Sequence, residues 1–131
     1  MSQTELPLEL RQLIHSSVPS IDALEVLMEV LRHRDTPPTV PELIEALRPA
    51  GVSEPVVRES LALLRGQGIL TEAADGKILY RPDSPAVESA VGLLLRAYNE
   101  RPVTLIRTVY AIADAKKIQA FADAFKIKKD E

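Results

Sequence analysis

The sequence predicts a mostly α-helical chain carrying one small β-hairpin. Three observations carry that prediction. Apolar residues recur at helical spacing through most of the 131 residues, the mark of helices that each bury one face. Ser or Thr stands directly ahead of several of these runs (Ser20, Thr39, Ser53, Ser84), where a side-chain oxygen can take up free N–H groups of a first helical turn. The period changes once, after Gly68, around Ala73-Ala74-Asp75-Gly76, and Asp-Gly between β-prone runs is a strong hairpin signal.

In chain order, residues 6–15 are predicted to form a short helix with Leu6, Leu10, Leu13 and Ile14 on one side. Ser20 caps the next helix, whose Leu24, Leu27, Met28 and Leu31 follow the i, i+3, i+4, i+7 pattern. Arg32-His33-Arg34 closes it with cations suited to the negative end of a helix dipole, and Asp35-Thr36-Pro37-Pro38 cannot continue it. Thr39 and Glu42 have capping-box spacing with Pro41 in the first turn, so another helix starts there, with Leu43, Ala46 and Leu47 as its apolar face. Pro49-Ala50-Gly51-Val52 is a tight turn in which Gly51 is free to take a positive φ. A helix capped by Ser53 then runs to about Gln67 and stops at Gly68. Strands over residues 69–72 and 77–81 flank the Asp-Gly turn. Beyond them Ser84-Pro85 opens a helix carrying Val87, Val91, Leu94 and Tyr98, which Arg101-Pro102 interrupts. A further stretch carries Val103, Ile106, Val109 and Tyr110, and Asp114 reads as the cap of a last helix with Ile118, Phe121, Ala122 and Phe125 on one face. The tail from Lys126 to Glu131 is charged and expected to fray. The chain therefore divides into an N-terminal arm (1–19), a central module (20–82) and a C-terminal helical arm (83–131).

Composition excludes several chemistries. With 46% hydrophobic and 27% charged residues the chain sits near the averages of soluble globular proteins. Aromatics make up 4% and Trp is absent, so the core must be built from Leu, Ile, Val and Ala. There is no cysteine, which removes disulfides, thiolate zinc sites and cysteine nucleophiles. His15 and His33 lie far apart and near helix ends, where a solvated or dipole-facing imidazole is the simpler reading than a metal ligand. The glycines are dispersed and form no phosphate loop; Ser60 falls on a buried helix side with no His nearby; the carboxylates are scattered along helices. The expectation is a non-enzyme without cofactor or metal. No apolar run approaches the roughly 20 residues of a membrane span, and Met1-Ser2-Gln3-Thr4-Glu5 lacks the start of a signal peptide, so a cytoplasmic protein is expected.

The stretch Gly51 to Leu70 contains Ser53, Val57, Leu61, Leu64, Gly68, Ile69 and Leu70 in the order of capping Ser, β-branched residue, Leu four positions on, Leu three later, then Gly and two apolar residues. In this stretch the chain resembles winged helix-turn-helix transcriptional regulators of the MarR and PadR type. The resemblance covers about half the chain and rests on core and turn positions. It implies a winged helix-turn-helix followed by C-terminal helices, with the third helix of the module (about 53–67) in the major groove of double-stranded DNA and the hairpin wing (69–81) on the neighbouring backbone. The residues this sequence offers for those contacts are Ser53, Glu54, Arg58, Ala62 and Arg65 on the helix and Lys77 and Arg81 on the wing. Arg58 is the candidate for a bidentate contact to guanine; Arg65, Lys77 and Arg81 suit phosphates, and the helix start at Ser53 can offer backbone N–H groups.

Two alternatives stay open. Arg58 stands four residues after Glu54, so an intrahelical ion pair explains it equally well, and residues 20–82 hold seven Lys or Arg against ten Asp or Glu. Phosphate neutralisation supplies most non-specific DNA affinity, and a module that docks another protein is the second reading. The C-terminal arm carries more apolar surface than a small module can cover. It either folds back to complete a monomeric core or forms the two-fold interface of a homodimer, the reading favoured on sequence.

Overall fold

Ser20, Thr39 and Ser84 stand in extended backbone ahead of three helices, and the side chain of each accepts a hydrogen bond from the N–H three residues on. A computed structural model describes the backbone of residues 5–129 and the side chains of residues 5–124; the predicted tail residues Asp130 and Glu131 and the first four residues lie outside it, as do the side chains of Phe125, Lys126, Ile127, Lys128 and Lys129. The helices are α1 (Leu8–Ser17), α2 (Ile21–Arg32), α3 (Val40–Leu47), α4 (Glu54–Gly66), α5 (Pro85–Glu100) and α6 (Pro102–Lys129), with a 3-10 turn at Arg48–Ala50. Strands β1 (Leu70–Glu72) and β2 (Ile78–Tyr80) pair antiparallel in the register Leu70–Tyr80, Thr71–Leu79, Glu72–Ile78. The chain is mostly α with a small hairpin, as the sequence predicts.

Local chemistry explains most boundaries. Thr39 and Glu42 form the reciprocal capping box, the Thr39 N–H donating to Glu42 Oε1 at 2.9 Å. These bonds, from the Thr39 backbone first and its hydroxyl second, hold the Glu42 carboxyl below its ordinary value. Gly51 turns the chain between α3 and α4 at φ 81°, a conformation that L side chains resist. Gly68 ends the module's last helix at φ 76°, and a Cβ there would also overlap the Asp83 carboxylate. Ser53 occupies the predicted cap position, but its hydroxyl makes no capping bond; Pro55, lacking an N–H, already removes one of the donors such a cap would serve.

Three predicted details are corrected. The strands are shorter than predicted: Ile69 and Arg81 already turn toward the flanking loops while still joined by an Arg81 N–H to Ile69 carbonyl bond of 3.0 Å, and Lys77 falls outside β2, bridging to Thr39 instead. On α3 the buried stripe is Leu43, Ile44 and Leu47, and Ala46 is exposed. Asp114 caps nothing: α6 runs unbroken through it. Ala111, Ala113 and Ala115 surround it with the strongest helix former, and no Gly or Pro in that stretch breaks the turn.

The core is one continuous cluster centred on α2, which buries Leu24, Val26, Leu27, Met28, Val30 and Leu31 on nearly every side. One flank of α2 receives α3, α4 and the hairpin through Leu43, Val57, Leu61, Leu64, Ile69 and Ile78. The other receives α6, and α1 packs against α5 and α6, bringing in Leu10, Ile14, Val91, Leu94, Leu105 and Val109. Through α5 and the first half of α6 the C-terminal arm thus folds back onto α1 and α2. Cross-links at the surface reinforce this: Arg32 reaches Glu29 at 2.8 Å and the Tyr98 hydroxyl at 3.3 Å, and Lys116 donates to the His15 carbonyl at the end of α1.

Candidate nucleic-acid interface

Helix α4 is amphipathic. Val57, Ser60, Leu61 and Leu64 are buried, and this spacing turns Glu54, Arg58, Ala62 and Arg65 to solvent. The hairpin lies alongside. A shallow groove runs between them, lined on the helix by Ala62, Arg65 and Gly66 and on the strand by Leu70, Thr71 and Glu72. Arg58, Ala62 and Arg65 also share a continuation of it with Val40 and Ile78. The hairpin is held in place from the other side: the Ile78 N–H donates to the Pro38 carbonyl at 2.7 Å, and Lys77 forms a bridge with Thr39.

The structure therefore brings Arg58, Ala62 and Arg65 together. Ser53 and Glu54 stand at the N-terminus of the same helix. Lys77 and Arg81 do not line the groove. Lys77 is exposed on the α3 side of the hairpin, close enough to Glu42 to help hold that carboxyl ionised. Arg81 is exposed just past β2. Between them Tyr80 is half-buried, and burial raises its phenol above the usual value, with Glu88 adding to the shift and Arg34 opposing it.

The electrostatics of the groove are self-cancelling. Arg58 Nε bonds Glu54 Oε2 at 2.9 Å, the intrahelical pair that the i, i+4 spacing allows. Arg65 reaches Glu72 on β1 at 3.5 Å. Sequence reasoning missed Glu72: it is seven residues from Arg65, a separation that means nothing until the hairpin folds back along the helix. Both pairs are solvated, with side chains 39–57% exposed, and such pairs hold together by only about 0.2–1 kcal/mol. A phosphate or a guanine edge can displace the carboxylate at that cost.

Elsewhere, Ser60 is buried as a packing residue. His33 faces Glu29 at 2.9 Å at the end of α2. Among the described residues no group of three His, Cys, Asp or Glu could hold a metal ion, and no helix is long and apolar enough to cross a membrane. Compared with protein-family models, curated proteins and solved structures, the chain finds no match.

Proposed function

We propose that the chain is a DNA-binding transcriptional regulator without catalytic activity, acting as a dimer, with α4 entering the major groove and the hairpin lying on the adjacent backbone. The observation that supports this best is the pairing of α4 with the hairpin. A short helix, a Gly51 turn and a second helix present Arg58, Ala62 and Arg65 in one groove beside a small wing. In this reading Arg58 bonds a guanine edge, Ala62 offers a methyl to thymine, and Arg65, Lys77 and Arg81 meet phosphates. The N-terminus of α4 at Ser53 and Glu54 supplies backbone N–H groups to a further phosphate. The resemblance of residues 51–70 to winged helix-turn-helix regulators supports the same assignment.

A second reading has its own observation. Arg58 and Arg65 each already hold a carboxylate, and the module carries more acids than bases, which suits a surface that docks a protein rather than a polyanion.

Titration against labelled random and genomic duplexes at low and moderate salt separates the two. The regulator reading expects affinity that falls steeply with salt, and an Arg58→Ala variant that binds all sequences alike. Unchanged sequence preference in Arg58→Ala would take α4 out of the groove. No retention at low salt would leave the protein-docking reading.

A further inference from the structure

Helix α6 has two apolar faces. Leu105 and Val109 point inward and are fully buried, with Ile112 packed beside them. On the opposite side Val103, Ile106 and Tyr110 are 60%, 42% and 57% exposed, and further along Ile118 and Phe121 are 70% and 74% exposed. At 100° per residue these five fall within one stripe. The helix also outruns the body: every side chain from Lys117 to Ala124 is exposed. A helical segment of that length without tertiary contacts is marginal in water, and an apolar patch this long on a free surface marks an interaction site.

The stripe is self-complementary. Val103, Ile106, Tyr110, Asp114, Ile118 and Phe121 are separated by steps of three, four, four, four and three residues, a pattern that reads the same in both directions about Ile112. It advances 18 residues in about five turns, the pitch of a straight α-helix, so the stripe does not drift around the axis. We infer that its partner is a second copy of this chain, with the two α6 helices packed antiparallel about a two-fold axis at Ile112. This rests on the proposed dimer and not on DNA binding.

The charges agree with that register. Asp114 lies near the middle of the stripe, and the exposed cations Arg107 and Lys117 stand toward its two edges. Antiparallel pairing sets Asp114 against Tyr110 of the second copy, whose hydroxyl donates to the carboxylate, with Arg107 one turn away on the same face. A polar residue of this kind fixes alignment in helix pairs. At the ends, Phe121 of one copy falls opposite Val103 of the other. There the surface holds a pit of about 220 Å³ lined by Ile21, Leu24, Tyr98, Pro102, Leu105 and Ile106, with Glu25 at its edge. Phe121 fits this pit as an aromatic anchor, and Lys117 of the same copy reaches Glu25. Each projecting α6 tail thus covers the docked half of the other.

The chain has no cysteine, so single cysteines report the geometry without background. In the 131-residue chain, Tyr110→Cys or Asp114→Cys alone should cross-link through a short bis-maleimide. Val103→Cys and Phe121→Cys should cross-link only when the two variants are mixed. Sedimentation of the unmodified chain should give a dimer, and Phe121→Asp should weaken it at least about thirtyfold, with the helical circular dichroism of the monomer retained because Phe121 is exposed. A dimer in which Val103→Cys or Phe121→Cys cross-links to itself would overturn the antiparallel register. A chain that stays monomeric at every concentration would overturn the inference, and DNA retention measured on that same sample decides separately whether the regulator reading survives.

Discussion

Helices α4 and α6 each turn one face to solvent, and the two faces are opposites. On α4 the face is polar and internally balanced, each Arg matched by a Glu on the same helix or the adjoining strand. On α6 it is mostly apolar, with Arg107, Asp114 and Lys117 set among large exposed hydrophobic side chains. Exposed ion pairs cost little to open and little to keep, so the α4 face can stand in water indefinitely and still exchange its carboxylates for another anion. An apolar stripe has no such neutral resting state, because every exposed methyl group keeps an unfavourable water contact. The α4 face is built to be available, and the α6 face to be covered.

The comparison breaks most sharply within α6 itself. Leu105→Ala empties a fully buried position beneath the helix and should lower the unfolding free energy by about 2–5 kcal/mol in a urea titration. Phe121→Ala, at concentrations low enough to keep the chain monomeric, should stay within about 0.5 kcal/mol of wild type. Equal losses at the two positions would mean that the outer stripe is already packed inside the monomer. A smaller effect is expected at the wing's support. Thr39→Ala removes the cap of α3 at about 1 kcal/mol. The capping box adds a pH dependence of known sign: because the folded Glu42 carboxyl lies below its ordinary 4.5, its contribution is complete above that pH and vanishes as pH falls through the lowered value. Glu42→Gln should flatten that acid limb, and an unchanged limb would show that other carboxylates set it. The smallest change in stability, under about 0.5 kcal/mol, is expected for Glu54→Gln. That variant frees Arg58 and subtracts one negative charge from the groove, so it should tighten DNA binding at low salt and steepen its salt dependence. Weaker binding in Glu54→Gln would favour the protein-docking reading.

Local signals were legible wherever one residue type has one physical use. Ser20, Thr39 and Ser84 cap as their side chains demand, Gly51 and Gly76 take positive φ, and Arg101-Pro102 ends one helix and begins the next. Asp114 misled because an acidic residue at a cap and one on a helix surface look the same in sequence; the surrounding alanines decided for the surface. The candidate site was half legible. The stripe Glu54, Arg58, Ala62 and Arg65 followed from periodicity, and the Glu54–Arg58 pair from spacing. Glu72 was invisible, since only the packing of β1 along α4 brings it to Arg65.

By itself, then, the sequence determined most of the helices, the caps at Ser20, Thr39 and Ser84, the hairpin turn and which face of α4 is polar, because those depend on contacts between residues at most a few positions apart. It also showed that the C-terminal helices carry more apolar residues than a small module can cover, although it divided α6 in two at Asp114. Whether those residues complete the core or remain outside was decided only by the fold. Leu105 and Val109 are buried because α1, α2 and α5 enclose that side, while Ile118 and Phe121 lie in the stretch 117–124, where every side chain of α6 is exposed. Burial depends on the volume that distant segments fill around a residue, and a periodic pattern along one helix does not encode that volume.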